Sequence, residues 1–150
     1  FEYFLKDEYL ESRSPQECFH KKYNLLLFNH HNPKDNDEHK KYFERCIYRF
    51  NIMRMNNNRK VVFRTVQYHD PNIELNDNKK YHKTLKQYIK NFELVVILIV
   101  SGKEQTCDIL YSDSDLFIYK IATISSHDGL CFSDIKDQEN IELIFKNHSK

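Results

Sequence analysis

The sequence predicts an α/β fold: an open, mainly parallel sheet of about five strands, with helices packed on it. Apolar runs rich in β-branched residues alternate along the chain with segments whose apolar residues recur at helical spacing. The runs are apolar throughout, which is typical of parallel strands covered on both faces. The helical segments between them are long enough to serve as right-handed crossover connections.

Two elements are predicted before the first polar loop. Aromatic and leucine residues at near-helical spacing in residues 1–9 predict a short helix, and Pro15 closes that segment, so a loop follows. The short apolar run 23–28 predicts a buried strand. The polar tract 29–36 after it predicts a loop.

The helix predicted over 37–53 has the clearest pattern. Its apolar residues fall on one stripe at i, i+3 and i+4, while charged residues occupy the other faces. Asn36 or Asp37 stands where a side chain accepts hydrogen bonds from the first free backbone N–H groups. The acidic residues Asp37 and Glu38 also suit the positive end of the helix dipole.

The rest of the chain supplies three strands and two helices. The strands are predicted from β-branched and aromatic runs, and the helices from one-sided apolar stripes. The predicted strands are 60–66, 93–100 and 116–124, and the predicted helices are 78–91 and 137–148.

The length of 150 residues predicts a single α/β domain over 1–150. The chain opens at Phe1 in an aromatic run with neither Met nor a signal-peptide pattern, so we expect a fragment that lacks an N-terminal segment. Its four cysteines include no CxxC pair that would start a zinc site. Because nothing at the start directs export, we expect reduced thiols and an intracellular (cytoplasmic) or virion location.

Charge and apolar content limit the partners. The net charge of +1 argues against binding to nucleic acid by charge alone, although residues 34–90 hold 14 Lys and Arg against 7 Asp and Glu. Residues 104–142 hold 2 against 9. We therefore expect a protein partner or a peptide substrate, with nucleic acid less favoured. The longest apolar run, 94–100, is far shorter than the roughly 20 residues of a bilayer helix, so no membrane span is expected.

Motifs for common cofactors are missing from the sequence. The two glycines, Gly102 and Gly129, form neither a dinucleotide-binding fingerprint nor a P-loop, so no cofactor is expected. No GxSxG nucleophile elbow is present either, which excludes a conventional α/β-hydrolase.

Candidate site residues follow two of the predicted strands, because ligands gather beyond the carboxyl ends of parallel strands. His30 and His31 follow the first strand, and His69 and Asp70 follow the second. If these strands are neighbours, Asp70 can orient a histidine as a general base. The alternatives are two surface histidines, which we favour, or a zinc site of His30, His31 and His69 without a fixed ligand spacing.

Two charged groups offer weaker candidates. Arg45 and Arg49, one helical turn apart, can share a face toward phosphate or carboxylate, although salt bridges to nearby acids are the favoured interpretation. An acidic cluster of Asp108, Asp113 and Asp115 lacks the glycine and spacing of a calcium loop, which favours a solvated turn.

The order of motifs resembles a family of uncharacterised bacterial and viral proteins assigned to the papain-like cysteine peptidases. The matching segments are Lys22-Tyr23-Asn24-Leu25-Leu26-Leu27-Phe28-Asn29-His30-His31-Asn32, Tyr42-Phe43-Glu44-Arg45-Cys46-Ile47-Tyr48-Arg49-Phe50 and Lys60-Val61-Val62-Phe63-Arg64-Thr65. In that family a strand ends in His followed by Asp or Asn, a helix carries a Tyr-x-x-Arg-x-x-x-Arg-Phe-like pattern, and a later strand ends in Phe-x-Arg. The opening Phe-x-x-Phe-Leu also resembles the family's link to its core.

The resemblance implies that the family histidine falls on His31, with His30 as the competing register. It also implies that the nucleophilic cysteine lies upstream of the opening aromatic run, and the surroundings of Cys18 do not match the family's cysteine motif. Two functions follow. One is a cysteine-peptidase-like hydrolase that is inactive or incomplete as given, and the other is a non-catalytic interaction or viral structural module.

Overall fold

The computed structural model describes residues 3–67, 71–127 and 131–149, and it has a mixed α/β fold with two separate sheets. The expected single open sheet of about five mainly parallel strands is therefore wrong, although the α/β class is confirmed. The chain divides into two compact units, Phe1–Asn56 and Asn57–Lys150. The prediction of one domain stays a prediction.

The first unit is a three-stranded antiparallel sheet followed by a helix. A short 3₁₀ helix at Asp7–Tyr9 precedes the strands. The elements that follow are β1 (Leu10–Ser14), β2 (Glu17–His20), β3 (Leu25–Asn29) and α1 (Asp37–Met55). The strands lie in the order β1-β2-β3, and α1 confirms the predicted helix with two more residues at its end. Asn36 caps it, since its side chain accepts from the backbone N–H groups of Glu38 and His39.

The prediction of a short helix and a loop before residue 23 is wrong, because this segment contains β1 and β2. Burial here follows the two-residue period of strands, so that Cys18 and His20 in β2 are buried while their neighbours are only partly covered. Pro15 and Gln16 form the turn between the two strands. The hairpin thus occupies residues 10–20, and the one helical element described in the region of the aromatic spacing is the 3₁₀ helix Asp7–Tyr9.

The first predicted strand is correct in position and wrong in its partner. β3 pairs antiparallel with β2 and belongs to a different sheet from the strand at residues 60–66. The connection from β2 is only the turn 21–24, in which Asn24 has φ 51°. Such a short connection permits antiparallel pairing, whereas a parallel neighbour requires a long crossover.

The core of the first unit is small and aromatic. Leu10, Cys18 and Phe28 are buried, and Phe28 contacts the rings of Phe4 and Phe43 at centroid distances of 5.1 and 4.8 Å. Phe43 brings α1 onto this cluster, and no residue of α1 is fully buried. One side of α1 therefore faces the core and the opposite side faces solvent.

The second unit is a four-stranded mixed sheet with helices on both faces. Its elements are β4 (Lys60–Gln67), α2 (Pro71–Leu85), β5 (Phe92–Ser101), β6 (Thr106–Ser112), β7 (Leu116–Thr123) and α3 (Ile135–His148). The strand order is β4-β5-β7-β6. β4, β5 and β7 are parallel, as predicted, whereas β6 runs antiparallel to β7.

Two elements of this unit differ from the prediction. β6 was missed because it is an edge strand with largely exposed residues and therefore lacks a continuous apolar run. α2 runs from Pro71 to Leu85 instead of over 78–91. A proline fits the first position of a helix, which allows the earlier start. Ile89, beyond the helix end, is buried all the same.

The burial of the central strand β5 explains why its apolar run is the clearest strand pattern in the sequence. Six successive residues of β5 are buried, since helices cover both faces of the sheet. Val95 and Ile97 belong to one core cluster with Ile141 of α3. On the opposite face, Arg64 of β4 donates to Asn78 of α2 at 2.8 Å. None of the helices among the described residues is long and apolar enough to span a membrane.

Candidate functional site

The loop after β3 holds the two histidines of the predicted site. His30 is exposed and has φ 69°, a left-handed conformation that is uncommon outside glycine, Asn, Asp and His. His31 is half-buried among aromatic rings of α1, lying 5.8 Å from Tyr42 in a stacked arrangement and 5.4 Å from Phe43 edge-on. The two histidines therefore differ sharply, because only the His31 ring is held in place by contacts from α1.

Asn32 fixes the backbone next to His31. Its fully buried side chain donates to Ser12 Oγ and to the backbone oxygen of Ser14, each at 2.7 Å. Its own backbone N–H donates to His39 Nδ1 at 2.9 Å. His39 Nδ1 is the acceptor of this bond, and its ring lies 5.0 Å from that of His31. Asn32, the residue after His31, thus has a structural role in this unit.

The remaining partners of the predicted site lie outside the described residues. Asp70, which was expected to orient His31, and His69, the third residue of the zinc alternative, both fall in the segment 68–70. A pairing of Asp70 with His30 or His31 stays a prediction. Within the described ranges, His, Cys, Asp and Glu form no group of three or more that is suited to a metal ion.

The thiols of Cys18 and Cys107 lack the character of an activated nucleophile. Cys18 is fully buried in β2, and burial raises the pKa of its thiol above the ordinary value. Burial and the nearby Asp108 carboxylate raise the pKa of Cys107 as well. A raised pKa lowers the thiolate fraction at neutral pH, which is the opposite of what a cysteine peptidase requires of its nucleophile.

The solvent side of α1 carries a different kind of candidate site. Lys41, Arg45, Tyr48, Arg49 and Ile52 are exposed along this side, which we call the outer face of α1, and Tyr42, Glu44 and Met55 are exposed beside it. Among the described residues, neither Arg45 nor Arg49 forms an ion pair or a side-chain hydrogen bond. Of the salt bridges favoured from the sequence, those to Glu38 and Glu44 are therefore not formed, and a bridge to a loop acid is absent among the described residues.

Large apolar side chains accompany these cations. Tyr48 and Ile52 expose 67% and 53% of their surface, which leaves much apolar area in water beside two unpaired guanidinium groups. The helical spacing in the sequence predicted the arginines as a candidate site, but Tyr48 and Ile52 were not predicted. The signal was present, because both residues lie one turn from an arginine on the face opposite the apolar stripe.

A second polar cluster lies at the carboxyl end of β7, where a parallel sheet commonly binds ligands. Asp137, fully buried in the first turn of α3, accepts hydrogen bonds at Oδ2 from the hydroxyls of Thr123 and Ser125, at 2.5 and 3.0 Å. Its Oδ1 is also buried and has no hydrogen-bond partner among the described residues. The cavity lined by Ser126, His127, Cys131, Phe132 and Ser133 does not include Asp137. The carboxylate therefore anchors α3 to β7.

At the other end of the same helix, a buried network joins α3 to the sheet. His148 contacts Glu93 Oε1 through Nδ1, and its Nε2 lies 2.8 Å from the Tyr119 hydroxyl. Arg59 donates to Glu93 Oε2 at 3.1 Å and to the backbone oxygen of His148 at 3.0 Å. His148 is only 6% exposed, so this carboxylate-imidazole-phenol chain is closed to a substrate.

The predicted acidic cluster is partly neutralised. Asp115 Oδ2 lies 2.5 Å from Lys86 Nζ, and Oδ1 lies 3.2 Å from His82 Nε2. His82 Nε2 is buried and has no hydrogen-bond partner among the described residues. Burial lowers the pKa of this imidazole despite the nearby carboxylate. Asp115 therefore belongs to an ion pair, which is consistent with the expected turn and not with a cation site.

No family model matches the chain, and neither a curated protein nor a solved structure matches it.

Proposed function

We propose that the chain is a non-catalytic interaction module that binds a protein partner through the outer face of α1. The observation that carries the proposal is the pair of exposed guanidinium groups of Arg45 and Arg49, which have no ion-pair partner among the described residues, beside the exposed side chains of Tyr48 and Ile52. Arginine and tyrosine are enriched among the residues that dominate protein interfaces. Together they supply large contact area and bidentate hydrogen-bond donors.

The charge of this face specifies the chemistry of the partner. From the second turn of α1 onward, the outer face carries three cations, Lys41, Arg45 and Arg49, whereas Glu44 lies on its flank. A partner that presents carboxylates next to apolar side chains complements both features. Guanidinium groups pair with carboxylates in a bidentate geometry, which fixes the orientation of such a partner.

Nucleic acid fits the whole chain less well than an acidic protein segment does. Phosphate binding by charge requires many cations to release counterions, whereas Lys and Arg number 23 against 22 Asp and Glu. The exposed aliphatic side chain of Ile52, at the C-terminal end of the outer face of α1, also favours a protein, because it offers no base-stacking surface.

The test is an NMR titration with a defined probe. The probe is a synthetic amphipathic peptide of about 18 residues, or five helical turns, with Glu residues one turn apart beside Leu residues. The amide signals of α1 are expected to shift, and binding is expected to weaken as salt rises from 50 to 300 mM. A matched peptide with Lys in place of Glu is expected not to bind.

Variants assign the binding to α1. Arg45→Glu/Arg49→Glu is expected to weaken peptide binding by at least about tenfold, whereas Lys83→Glu/Lys103→Glu makes the same change in net charge elsewhere and leaves binding intact. Signal shifts outside α1, or equal loss in both variants, would refute the proposal. Tighter binding of a single-stranded oligothymidine than of the acidic peptide would replace it with nucleic-acid binding.

The cysteine-peptidase-like hydrolase is the competing proposal, based on the resemblance and on the ordered ring of His31. Labelling with a thiol-directed electrophile separates the two functions. Rapid labelling of one cysteine that slows after His31→Ala supports the hydrolase. Labelling at the rate of a small-molecule thiol, unchanged by His31→Ala, supports the interaction module.

A further inference from the structure

The edge strands of the two sheets differ in regularity. β1 and β3 border the first sheet, and β4 and β6 border the second. Three of these strands contain one extra residue that interrupts the pairing with the neighbouring strand: Arg13 in β1, Leu27 in β3 and Leu110 in β6. Such bulges are a common way to keep an exposed edge from pairing with another chain. β4 differs, because all eight of its described residues pair with β5 in one unbroken register.

The outer side of β4 presents free backbone groups. Lys60 donates its N–H to the backbone oxygen of Asn91 at 3.0 Å, which assigns the even-numbered residues of β4 to β5, because a parallel ladder uses every second residue. The N–H and C=O groups of Val61, Phe63 and Thr65 therefore point away from the sheet. They form no hydrogen bond among the described residues, so a further strand would satisfy them.

The side chains of β4 also indicate an open edge. Every residue from 60 to 66 is partly exposed, whereas six successive residues of β5 are buried. The strand sequence KVVFRTVQ contains four apolar residues, no proline and no acidic residue. Protein sheets normally avoid an edge that is long, regular and apolar unless another strand covers it.

We propose that the outer edge of β4 pairs antiparallel with β4 of a second copy of this chain, which joins two four-stranded sheets into one sheet of eight strands. Within residues 1–150, the stretches outside the described ranges are at most three residues long, which is too short to cover an eight-residue strand. The bulges in β1, β3 and β6 disfavour those strands as partners. Among the described strands, a second copy thus offers one regular edge, which is β4 itself. This inference does not depend on the outer face of α1.

A register centred on Phe63 satisfies the free backbone groups of both copies. Phe63 then lies opposite Phe63 of the second copy, and Val61 lies opposite Thr65. These residues all face outward, so each pair exchanges two N–H···O bonds in the antiparallel ladder. The centre of the register is also the middle of β4, so each residue from 60 to 66 has a partner. A two-fold axis relates the copies, and association stops at a dimer.

The apolar side chains fit this register. Val61 and Phe63 lie on the face of the sheet that packs against α3, where the Phe63 ring contacts Phe145 at a centroid distance of 4.6 Å. In the dimer the two Phe63 rings become a cross-strand aromatic pair, and Val61 meets the β-branched Thr65. Both kinds of pair stabilise antiparallel strands.

The charged side chains do not oppose the register. Lys60 lies opposite Val66, and Arg64 lies opposite Val62, so like charges never face each other directly. The Arg64 guanidinium is also held by α2, at 4.6 Å from the ring centroid of Tyr81. Because the contact consists of backbone hydrogen bonds and apolar pairs, salt is expected to affect it little.

Sedimentation equilibrium and amide exchange of the whole chain test the proposal. The average mass is expected to rise from monomer to dimer, and no further, as concentration rises from about 10 µM to about 1 mM. It is expected to change little between about 50 and about 500 mM salt. The amides of Val61, Phe63 and Thr65 are expected to exchange more slowly in the dimer, whereas the even-numbered amides of β4 are protected at both concentrations. A chain that is monomeric at the higher concentration, or a dimer with these three amides unprotected, overturns the inference.

A proline variant tests the backbone bonds. Thr65→Pro removes one outward N–H and leaves the bonds to β5 in place, which is the position where an edge strand accepts proline. It is expected to weaken dimerisation at least about tenfold while the circular dichroism spectrum is retained. Thr65→Val is the matched control, because it keeps the N–H and the β-branched shape and is expected to dimerise normally. Equal dimerisation of the two variants overturns the inference.

Disulfide cross-linking tests the register and does not depend on how the proline variant folds. In Val61→Cys/Thr65→Cys, oxidation is expected to join position 61 of one copy to position 65 of the other, because paired Cα atoms about 5.5 Å apart lie within disulfide range. Within one copy the two positions are about 13 Å apart along the strand and cannot be bridged. Peptide mapping by mass spectrometry identifies the bond. A dimeric sample without this cross-link overturns the inference.

A synthetic peptide of alternating valine and threonine distinguishes a second copy from a foreign strand. If the chain stays monomeric while the peptide slows exchange at Val61, Phe63 and Thr65, a strand of a different protein occupies the edge, and the inference is overturned. The acidic-peptide titration reports on α1 alone, so the proposed function stands or fails separately.

Discussion

Replacing Asn32 with alanine is the most direct test of how the first unit holds the loop that carries His31. The Asn32 side chain is fully buried, and both its amide nitrogen and its amide oxygen form hydrogen bonds. Its Nδ2 donates to Ser12 Oγ and Ser14 O at 2.7 Å, and its Oδ1 accepts from the backbone N–H groups of Lys34 and Asp35 at 3.1 and 3.2 Å. The amide therefore ties β1 to the turn before α1.

The size of the effect follows from these four bonds. Each buried hydrogen bond contributes about 0.5 to 1.5 kcal/mol net, and partners left without a replacement add a desolvation cost. Asn32→Ala is therefore expected to lower the free energy of unfolding by about 3 kcal/mol. Asn32→Asp keeps the volume and the Oδ1 acceptor but turns a second oxygen toward the Ser14 carbonyl, so an equal or larger loss is expected.

Urea unfolding followed by circular dichroism measures the change, and amide hydrogen exchange locates it in residues 10–36. Asn29→Ala is the matched control, because Asn29 is exposed on β3 and its side chain forms no hydrogen bond among the described residues. A loss below about 1 kcal/mol for Asn32→Ala, or a loss equal to that of the control, would refute the reasoning.

Three further predictions concern the cores and one buried histidine. Phe28→Ala removes a ring that is 2% exposed and is expected to cost about 3 to 5 kcal/mol in urea unfolding; a loss under about 1 kcal/mol contradicts the packing of the first unit. Thr123→Val preserves shape but removes the hydroxyl donor to the buried Asp137, so thermal or urea unfolding should show a loss of about 1 to 3 kcal/mol, and an unchanged stability would disprove the role of that bond. Burial lowers the pKa of His82 in the folded state, so the unfolded chain binds more protons and stability should fall as pH drops below about 6.5. His82→Gln should reduce this fall in the free energy of unfolding between pH 7 and 5. A variant whose stability changes with pH in the same way as that of the unaltered chain would contradict the prediction.

Periodic patterns predicted the elements whose burial they report directly. The stripe of α1 and the apolar run of β5 gave positions accurate to within two residues, because a one-sided helix and a strand covered on both faces leave their period in the sequence. β6 left no such trace, since an edge strand is held by backbone hydrogen bonds to β7 more than by its side chains. Residues 10–20 were misassigned because a short strand and a short helix can contain the same few apolar residues, so the spacing of those residues does not distinguish the two.

The candidate site, too, was only partly predictable from the sequence. The sequence identified Arg45 and Arg49 as a pair on one helix face, since that follows from helical spacing alone. It did not indicate that they lack acidic partners, which depends on where Glu38 and Glu44 lie in three dimensions. The exposure of Tyr48 was equally hidden, because an aromatic residue in a helix is as often buried as exposed.

The sequence by itself determined that this chain folds as α/β, where α1, α3 and the central parallel strands lie, and that its charges are unevenly distributed. These properties depend on local period and composition, which the chain order contains. Only the tertiary structure decided that β3 joins an antiparallel sheet of its own, that Asn32 is a buried anchor, and that cations and apolar side chains remain exposed on α1. Strand partners and exposure are set by contacts between residues distant in sequence, and no local pattern encodes which of those contacts has the lowest free energy.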